Sequence, residues 1–181
     1  ITREPYVQQL GPTSAIVAWE TNGNTNGRVK YGTDVESQST VVSSEYTVKQ
    51  HAVLVTGLNA ATRYYYSVGY SLGANLFYLS LEGQPNEYSF VTGPTVGSTG
   101  GFSMWVVGDS GTGQNAQADV RDAMLAAMGN AKPDLFVHLG DMAYESGTTS
   151  EFTNNFFTPY ADILRNTVVW PTMGNREGSS S

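Results

Sequence analysis

The 181-residue chain contains no cysteine, which excludes disulfides and thiolate metal sites outright. Histidine is nearly as scarce, with only His51 and His138. Charged residues make up 14% of the chain, and the formal net charge of −7 leaves no basic face for a phosphate backbone. Nucleic acid is therefore not an expected partner. No apolar run approaches the length that crosses a bilayer as a helix, so no membrane partner is expected either. What is present, 40% hydrophobic residues in a chain of this length, describes a folded protein with room for a core and two small domains. The sequence opens on Ile1 without a basic-then-apolar leader, as in a chain whose signal peptide has been removed or whose sequence is given from an internal point.

The acidity is uneven. Residues 1–93 carry five basic and seven acidic side chains, net −2, whereas 94–181 carry four and nine, net −5. Such a half-chain is either an ordinary solvated surface or a set of carboxylates that awaits cations.

A glycine-rich joint, GPTVGSTGG from Gly93 to Gly101, separates two patterns. We expect a β-sandwich over 1–93, a linker over 94–101 and an α/β unit over 102–181. In the first part, SAIVAWE alternates Ala15, Val17 and Trp19, and GRVKYG alternates Val29 and Tyr31. TNGNTNG between them predicts a tight hairpin turn. HAVLVTGL, RYYYSVGY and EYSFVTG continue the series of short strands. GLNAATRYYYSV brings Leu58, Thr62 and Tyr64 into an arrangement that resembles the tyrosine corner of fibronectin type III-like domains, with Trp19 as the core aromatic. His51, alone in such a strand, reads as structural.

Beyond the joint, FSMWVV (102–107) is a continuous apolar run, expected to be a strand covered on both faces. Helical spacing over 115–128 places Val120, Met124, Leu125 and Met128 on one stripe, and Gly129-Asn130 followed by Pro133 stops it. LFVHL (135–139) is a second buried strand. Residues 151–164 read as helical, interrupted at Pro159, with Ser150 as the cap. TVVW (167–170) is a third strand. Strand, helix, strand, helix, strand implies parallel pairing, with ligands beyond the carboxyl ends of the strands.

Those three ends repeat a phrase: Gly108-Asp109-Ser110-Gly111, Gly140-Asp141-Met142-Ala143-Tyr144 and Gly174-Asn175-Arg176-Glu177. Each delivers a small residue and then an oxygen donor to one edge. Converging carboxylates raise one another's pKa unless a cation lies among them, and oxygen-preferring metals are the natural occupants. Asp141 could bridge two ions. Tyr144, three residues on, returns to the same place within one tight turn, and its phenolate suits a trivalent metal. Taken singly, Asp109 and Asp141 are also ordinary turn-formers and Asn175 a loop cap. His138, within an apolar strand, reads as a core residue or as a partner behind the donor groups.

GDSG, GDMAY and GNRE resemble the first three motifs of metallophosphoesterases, GDxG, GDxxY and GNH followed by an acid. The tyrosine in the second motif and the fibronectin-like domain in front resemble purple acid phosphatases in particular. The resemblance implies a secreted or periplasmic acid phosphatase that hydrolyses phosphomonoesters at a binuclear centre of Fe³⁺ and a divalent Fe, Zn or Mn. Asp109 and Tyr144 would bind the iron, Asp141 would bridge, and Asn175 would bind the divalent ion. Two departures stand out. Arg176 takes the place of a histidine that helps hold phosphate and protonate the leaving group. Arginine, with a pKa above about 12, can clamp a phosphate but cannot act as a general acid. The further histidine ligands that the resemblance implies lie in later motifs, so the rest of the centre is expected from a C-terminal segment or a companion chain. GSSS at the end reads as the start of a flexible, cleavable loop or as an artificial remnant.

Two rivals remain. Gly108-Asp109-Ser110 also matches the nucleophile motif of SGNH-type esterases, with Ser110 attacking an acyl carbonyl, although the partner blocks of such an enzyme are missing. The other is a fibronectin-like binding module joined to a degenerate, non-catalytic phosphoesterase half.

Overall fold

Alternating burial organises the first part of the chain. A computed structural model describes residues 1–78 and 88–180; Glu87 of EYSFVTG and the terminal Ser181 lie outside the described residues. The chain divides into two compact units, 1–100 and 101–181. In the first, β1 (Arg3–Gln8), β2 (Ser14–Gly32), β3 (Thr40–Thr56), β4 (Arg63–Leu72), β5 (Asn75–Tyr78) and β6 (Ser89–Val91) pair antiparallel. Val7, Val17, Trp19, Val29, Tyr66 and Phe90 are all buried in its common core.

TNGNTNG is not a hairpin turn. SAIVAWE and GRVKYG belong to one long strand, β2, and both pair with β3: Ser14–Glu20 with Gln50–Thr56, and Arg28–Tyr31 with Thr40–Ser43. Only the second stretch also pairs with β4. The register slips between Glu20 and Thr25 and again between Asn26 and Arg28. Irregularities of this kind bend a strand and let it pass from one layer of a sandwich to the other. Gly27 thus serves close approach rather than reversal. A Cβ added at Gly27 would stand 2.9 Å from Nδ1 of His51 and 3.1 Å from the Trp19 ring.

Trp19 and His51 stack with ring centroids 4.6 Å apart, and Nε2 of His51 lies 3.1 Å from the Thr21 hydroxyl. His51 is structural, as its setting in an apolar strand implied. The tyrosine corner is also present: the backbone N–H of Asn59 donates to the Tyr64 hydroxyl at 3.0 Å.

In the second unit, β7 (Met104–Val107), β8 (Leu135–His138) and β9 (Val168–Pro171) pair in parallel in that order. Helix α1 (Asn115–Ala127) connects β7 to β8. Its end is closed as expected, with Gly129 and Asn130 at φ 63° and 64° and the Asn130 N–H donating to the Leu125 carbonyl. Between β8 and β9 lie α2 (Thr149–Phe152), a π-helical turn (Thr153–Phe157) and α3 (Ala161–Leu164), so the helical stretch over 151–164 is interrupted around Pro159 as expected and widens to a π-helical turn ahead of it. Phe156, Tyr160, Ile163 and Leu164 are buried, and Phe156 and Tyr160 pack on Phe136 of β8.

Three details differ from expectation. The cap of α2 is Thr148, not Ser150. Thr148 and Glu151 form a reciprocal capping box, and the hydrogen bonds from Thr148 lead those that hold the Glu151 carboxyl down to about 2. The apolar stripe of α1 is only partly covered: Val120 is exposed, Met124, Leu125 and Met128 are half-buried, and the fully buried position is Gln117. The reason is polar, because the Gln117 amide accepts from Gly113 N–H and donates to the Asn155 carbonyl. Finally, β7 is covered on one face only, with Met104 and Val106 about half exposed on the other. No helix among the described residues is long and apolar enough to cross a membrane.

Candidate metal centre

Parallel pairing of β7, β8 and β9 sends their carboxyl ends to one edge of the sheet, where the three motifs begin. Asp109 and Asp141 both adopt left-handed backbone, at φ 52° and 57°, a region that β-carbons disfavour. Hydrogen bonds between the loops hold them there. Asp109 N–H donates to the Gly140 carbonyl at 3.1 Å, Gly111 N–H to the Asp141 carbonyl at 3.0 Å, and Tyr144 N–H back to the Gly111 carbonyl at 2.9 Å.

The side chains converge as a result. The Tyr144 hydroxyl donates to Oδ2 of Asp141 at 3.1 Å and lies 3.4 Å from Oδ1 of Asp109. The Asp109 and Asp141 carboxyls are themselves within hydrogen-bonding reach of one another. Oδ1 of Asp141 accepts from the Arg176 N–H at 3.0 Å, so the turn after β9 closes on the loop after β8. Gly174 makes that approach possible. A Cβ there would stand 2.1 Å from Oδ1 of Asp141.

Asn175 occupies the same turn between Gly174 and Arg176, and its side chain is exposed. The structure thus brings Asp109, Asp141 and Tyr144 into contact and places Asn175 beside them. Arg176 lies with its guanidinium carbon 5.1 Å from the centre of the Tyr144 ring and donates to Oε2 of Glu145 at 3.1 Å.

Glu177 carries a role that the motif spelling alone did not disclose. Its buried carboxylate accepts four backbone N–H groups: Asp141 at 2.9 Å, Met142 at 2.6 Å, Ala143 at 3.1 Å and Gly174 at 2.7 Å. One side chain therefore splices the second motif to the third. The available signal was the acid that follows GNR, a residue that looks like a surface charge until the fold buries it.

The electrostatics of the cluster suit a cation. Burial, then the hydrogen bond to Asp141 and the two nearby carboxylates, pushes the Tyr144 phenol up to about 12. The N–H of Arg176, with the Tyr144 hydroxyl behind it, holds the Asp141 carboxyl below its ordinary range. Two carboxylates that meet at one phenol concentrate negative charge that a cation would offset. The donor set, all oxygen, fits a hard cation. Among the described residues it consists of two carboxylates and a phenol, since nowhere do three His, Asp or Glu side chains gather as a metal-binding group.

His138 is fully buried behind this rim, and burial holds its imidazole down to about 4 against the pull of Glu177, Asp109 and Asp141. Its Nδ1 accepts from Gly140 N–H at 3.3 Å, so the ring proton resides on Nε2, 2.8 Å from the Ser110 hydroxyl. That polarity is opposite to a nucleophile–base pair, in which the histidine nitrogen must accept the serine proton. Ser110 is held in place rather than activated.

Residues 4–92 match the family model described as purple acid phosphatase, N-terminal domain. No curated protein matches the chain. Among solved structures, purple acid phosphatase PPD1 from yellow lupin (Lupinus luteus) seeds superposes on 94% of this chain with a TM-score of 0.71 at 14% identity, which shows a shared fold. This chain spans 34% of that protein's length. The sixth fibronectin type III domain of human fibronectin type III domain containing protein 3 is similar at 23% identity over 55% of this chain and 90% of its own, with a TM-score of 0.33. A redesigned β-sandwich protein reaches 0.34 at 17% identity, over 51% of this chain and 93% of its own. The first unit is the antiparallel β-sandwich that the sequence led us to expect, and the second is the expected β-α-β-α-β unit with a parallel sheet.

Proposed function

We propose that this chain, which carries a purple acid phosphatase N-terminal domain at residues 4–92, contributes the first half of a metal centre that hydrolyses phosphomonoesters. The observation that carries the reading is the meeting of Asp109, Asp141 and Tyr144, with the phenol 3.1 Å from one carboxylate and 3.4 Å from the other. The residues that would hold the metals are Asp109 and Tyr144 for Fe³⁺, Asp141 between the two ions, and Asn175 for a divalent Fe, Zn or Mn. When bound, such ions supply Lewis acidity and reverse the charge that an anionic substrate meets.

The chain's own residues do the rest. Glu177 holds the Asp141 loop and the Asn175 turn in register through four N–H groups. His138 anchors Ser110 and Gly140 behind the donors. The guanidinium of Arg176 stands on the Tyr144 ring, where it can meet an anion arriving at the rim. The remaining ligands of a binuclear site would come from a further segment or a companion chain.

Elemental analysis of the purified, mass-verified protein together with Tyr144→Phe tests the proposal. Iron in the wild type, with a visible absorption band that disappears in Tyr144→Phe while iron is retained, supports it. A protein that retains no iron favours a non-catalytic binding role. A band that survives the substitution removes Tyr144 from the centre.

A further inference from the structure

Arg176 and Glu145 form an ion pair at 3.1 Å on the open side of the carboxylate rim, and its two halves are anchored very differently. The backbone of Arg176 is fixed by its N–H on Asp141 at 3.0 Å and by its neighbour Glu177, and the guanidinium rests on the Tyr144 ring. The Glu145 side chain is 77% exposed, and only the backbone of that residue is tied down, by its N–H on Glu151 at 2.7 Å. A carboxylate in this position takes one N–H arm of the guanidinium that a tetrahedral oxyanion would use, since both anions satisfy a guanidinium in the same way. Exposed pairs are weak, so the carboxylate leaves readily.

We propose that Glu145 is a built-in competitor for the anion seat of Arg176. An incoming dianionic phosphoryl group takes the carboxylate's place on the guanidinium, and Glu145 swings into solvent. Glu145 thereby sets the affinity of the seat. The identification of that anion as a phosphoryl group rests on the function proposed above. The exchange itself depends only on the Arg176–Glu145 geometry.

The test is calorimetric titration of the intact protein with inorganic phosphate, with sulfate and acetate as comparison anions, alongside measured metal content. Glu145→Gln is expected to tighten phosphate by about two- to five-fold, the size of an exposed ion pair. Arg176→Gln should weaken it at least about ten-fold, the scale of a charge-assisted contact. Arg176→Lys, which keeps the charge and loses the fork, should fall between, and its thermal melt verifies folding. Acetate should bind more weakly than either dianion because it carries less charge to the guanidinium. Phosphate affinity unchanged in both Glu145→Gln and Arg176→Gln overturns the proposal, as does weaker binding in Glu145→Gln. Phosphate binding that follows the expected order in a protein that cleaves no phosphoester preserves the seat and removes the phosphatase reading. Cleavage that is indifferent to both residues does the reverse.

Discussion

Glu177 Oε2 lies 2.9 Å from the backbone nitrogen of Asp141, and the same oxygen accepts the N–H of Gly174 at 2.7 Å. A single buried carboxylate therefore fixes the spacing between two motifs more than thirty residues apart. Asp109 and Asn175 are exposed at the rim, Tyr144 is half-buried and Asp141 buried, and the carboxylate that positions them is itself buried.

Glu177→Gln leaves one oxygen where two served four N–H groups, and its own NH₂ would face donors. We expect a loss of about 3 kcal/mol, the scale of hydrogen bonds to a buried charged group. Thermal unfolding monitored at the second unit reads this directly, for example through fluorescence of Trp105 and Trp170 in a variant that lacks Trp19. A melting temperature within a degree of the parent protein contradicts the clamp.

Acid should weaken the second unit through His138. Its folded pKa, about 4, lies below the ordinary 6.5, so the unfolded chain binds the proton more readily. The contribution is intact above about 6.5 and is lost as the pH falls toward 4. Its full size is roughly 3 kcal/mol, from about 1.4 kcal/mol for each unit of pKa. Unfolding in denaturant at pH 7.5 and 4.5 should show a steeper decline for the parent than for His138→Gln. Parallel declines sink this assignment.

Tyr64→Phe removes the acceptor for the Asn59 N–H, at 3.0 Å in the tyrosine corner. The expected cost is about 1–2 kcal/mol, confined to the sandwich. A chemical denaturation curve in which the second unit's transition moves as much as the first would show that the corner is not local.

Ser110→Ala and Asp141→Ala separate the phosphatase reading from a serine esterase. With the ring proton of His138 on Nε2, Ser110 has no base, and its removal should lower any hydrolysis less than about ten-fold. Asp141→Ala should reduce phosphatase activity by at least about a hundred-fold and strip metal, checked by elemental analysis of the same sample. The reverse ranking supports the esterase.

Gly174→Ala places a methyl group 2.1 Å from Oδ1 of Asp141, where the backbone of both partners is already committed. The turn must move away, and metal uptake should fall even though no donor has been altered. Retention of metal at the parent level excludes a tight contact between these two motifs.

Short-range periodicity made the sandwich strands, the parallel α/β unit and the three strand tips legible in the amino-acid order, because each depends on spacing along one segment. Asp141 and Tyr144 meet across three residues, a distance that a single turn dictates. TNGNTNG has the spelling of a reversal but runs on as strand, and its Gly27 answers to the Trp19–His51 stack, a packing constraint from a strand about two dozen residues away. Gln117 takes the buried position of α1 for a similar reason, since its partner Asn155 sits in another element.

Local spacing and residue chemistry are enough to settle which oxygen donors stand at the ends of the three β-strands. Folding is needed before Glu177 binds them into one rim, Arg176 faces Glu145, and His138 gives rather than takes a proton at Ser110. Those outcomes depend on burial and on the direction of backbone N–H groups brought together from distant segments, quantities that exist only once the chain has folded.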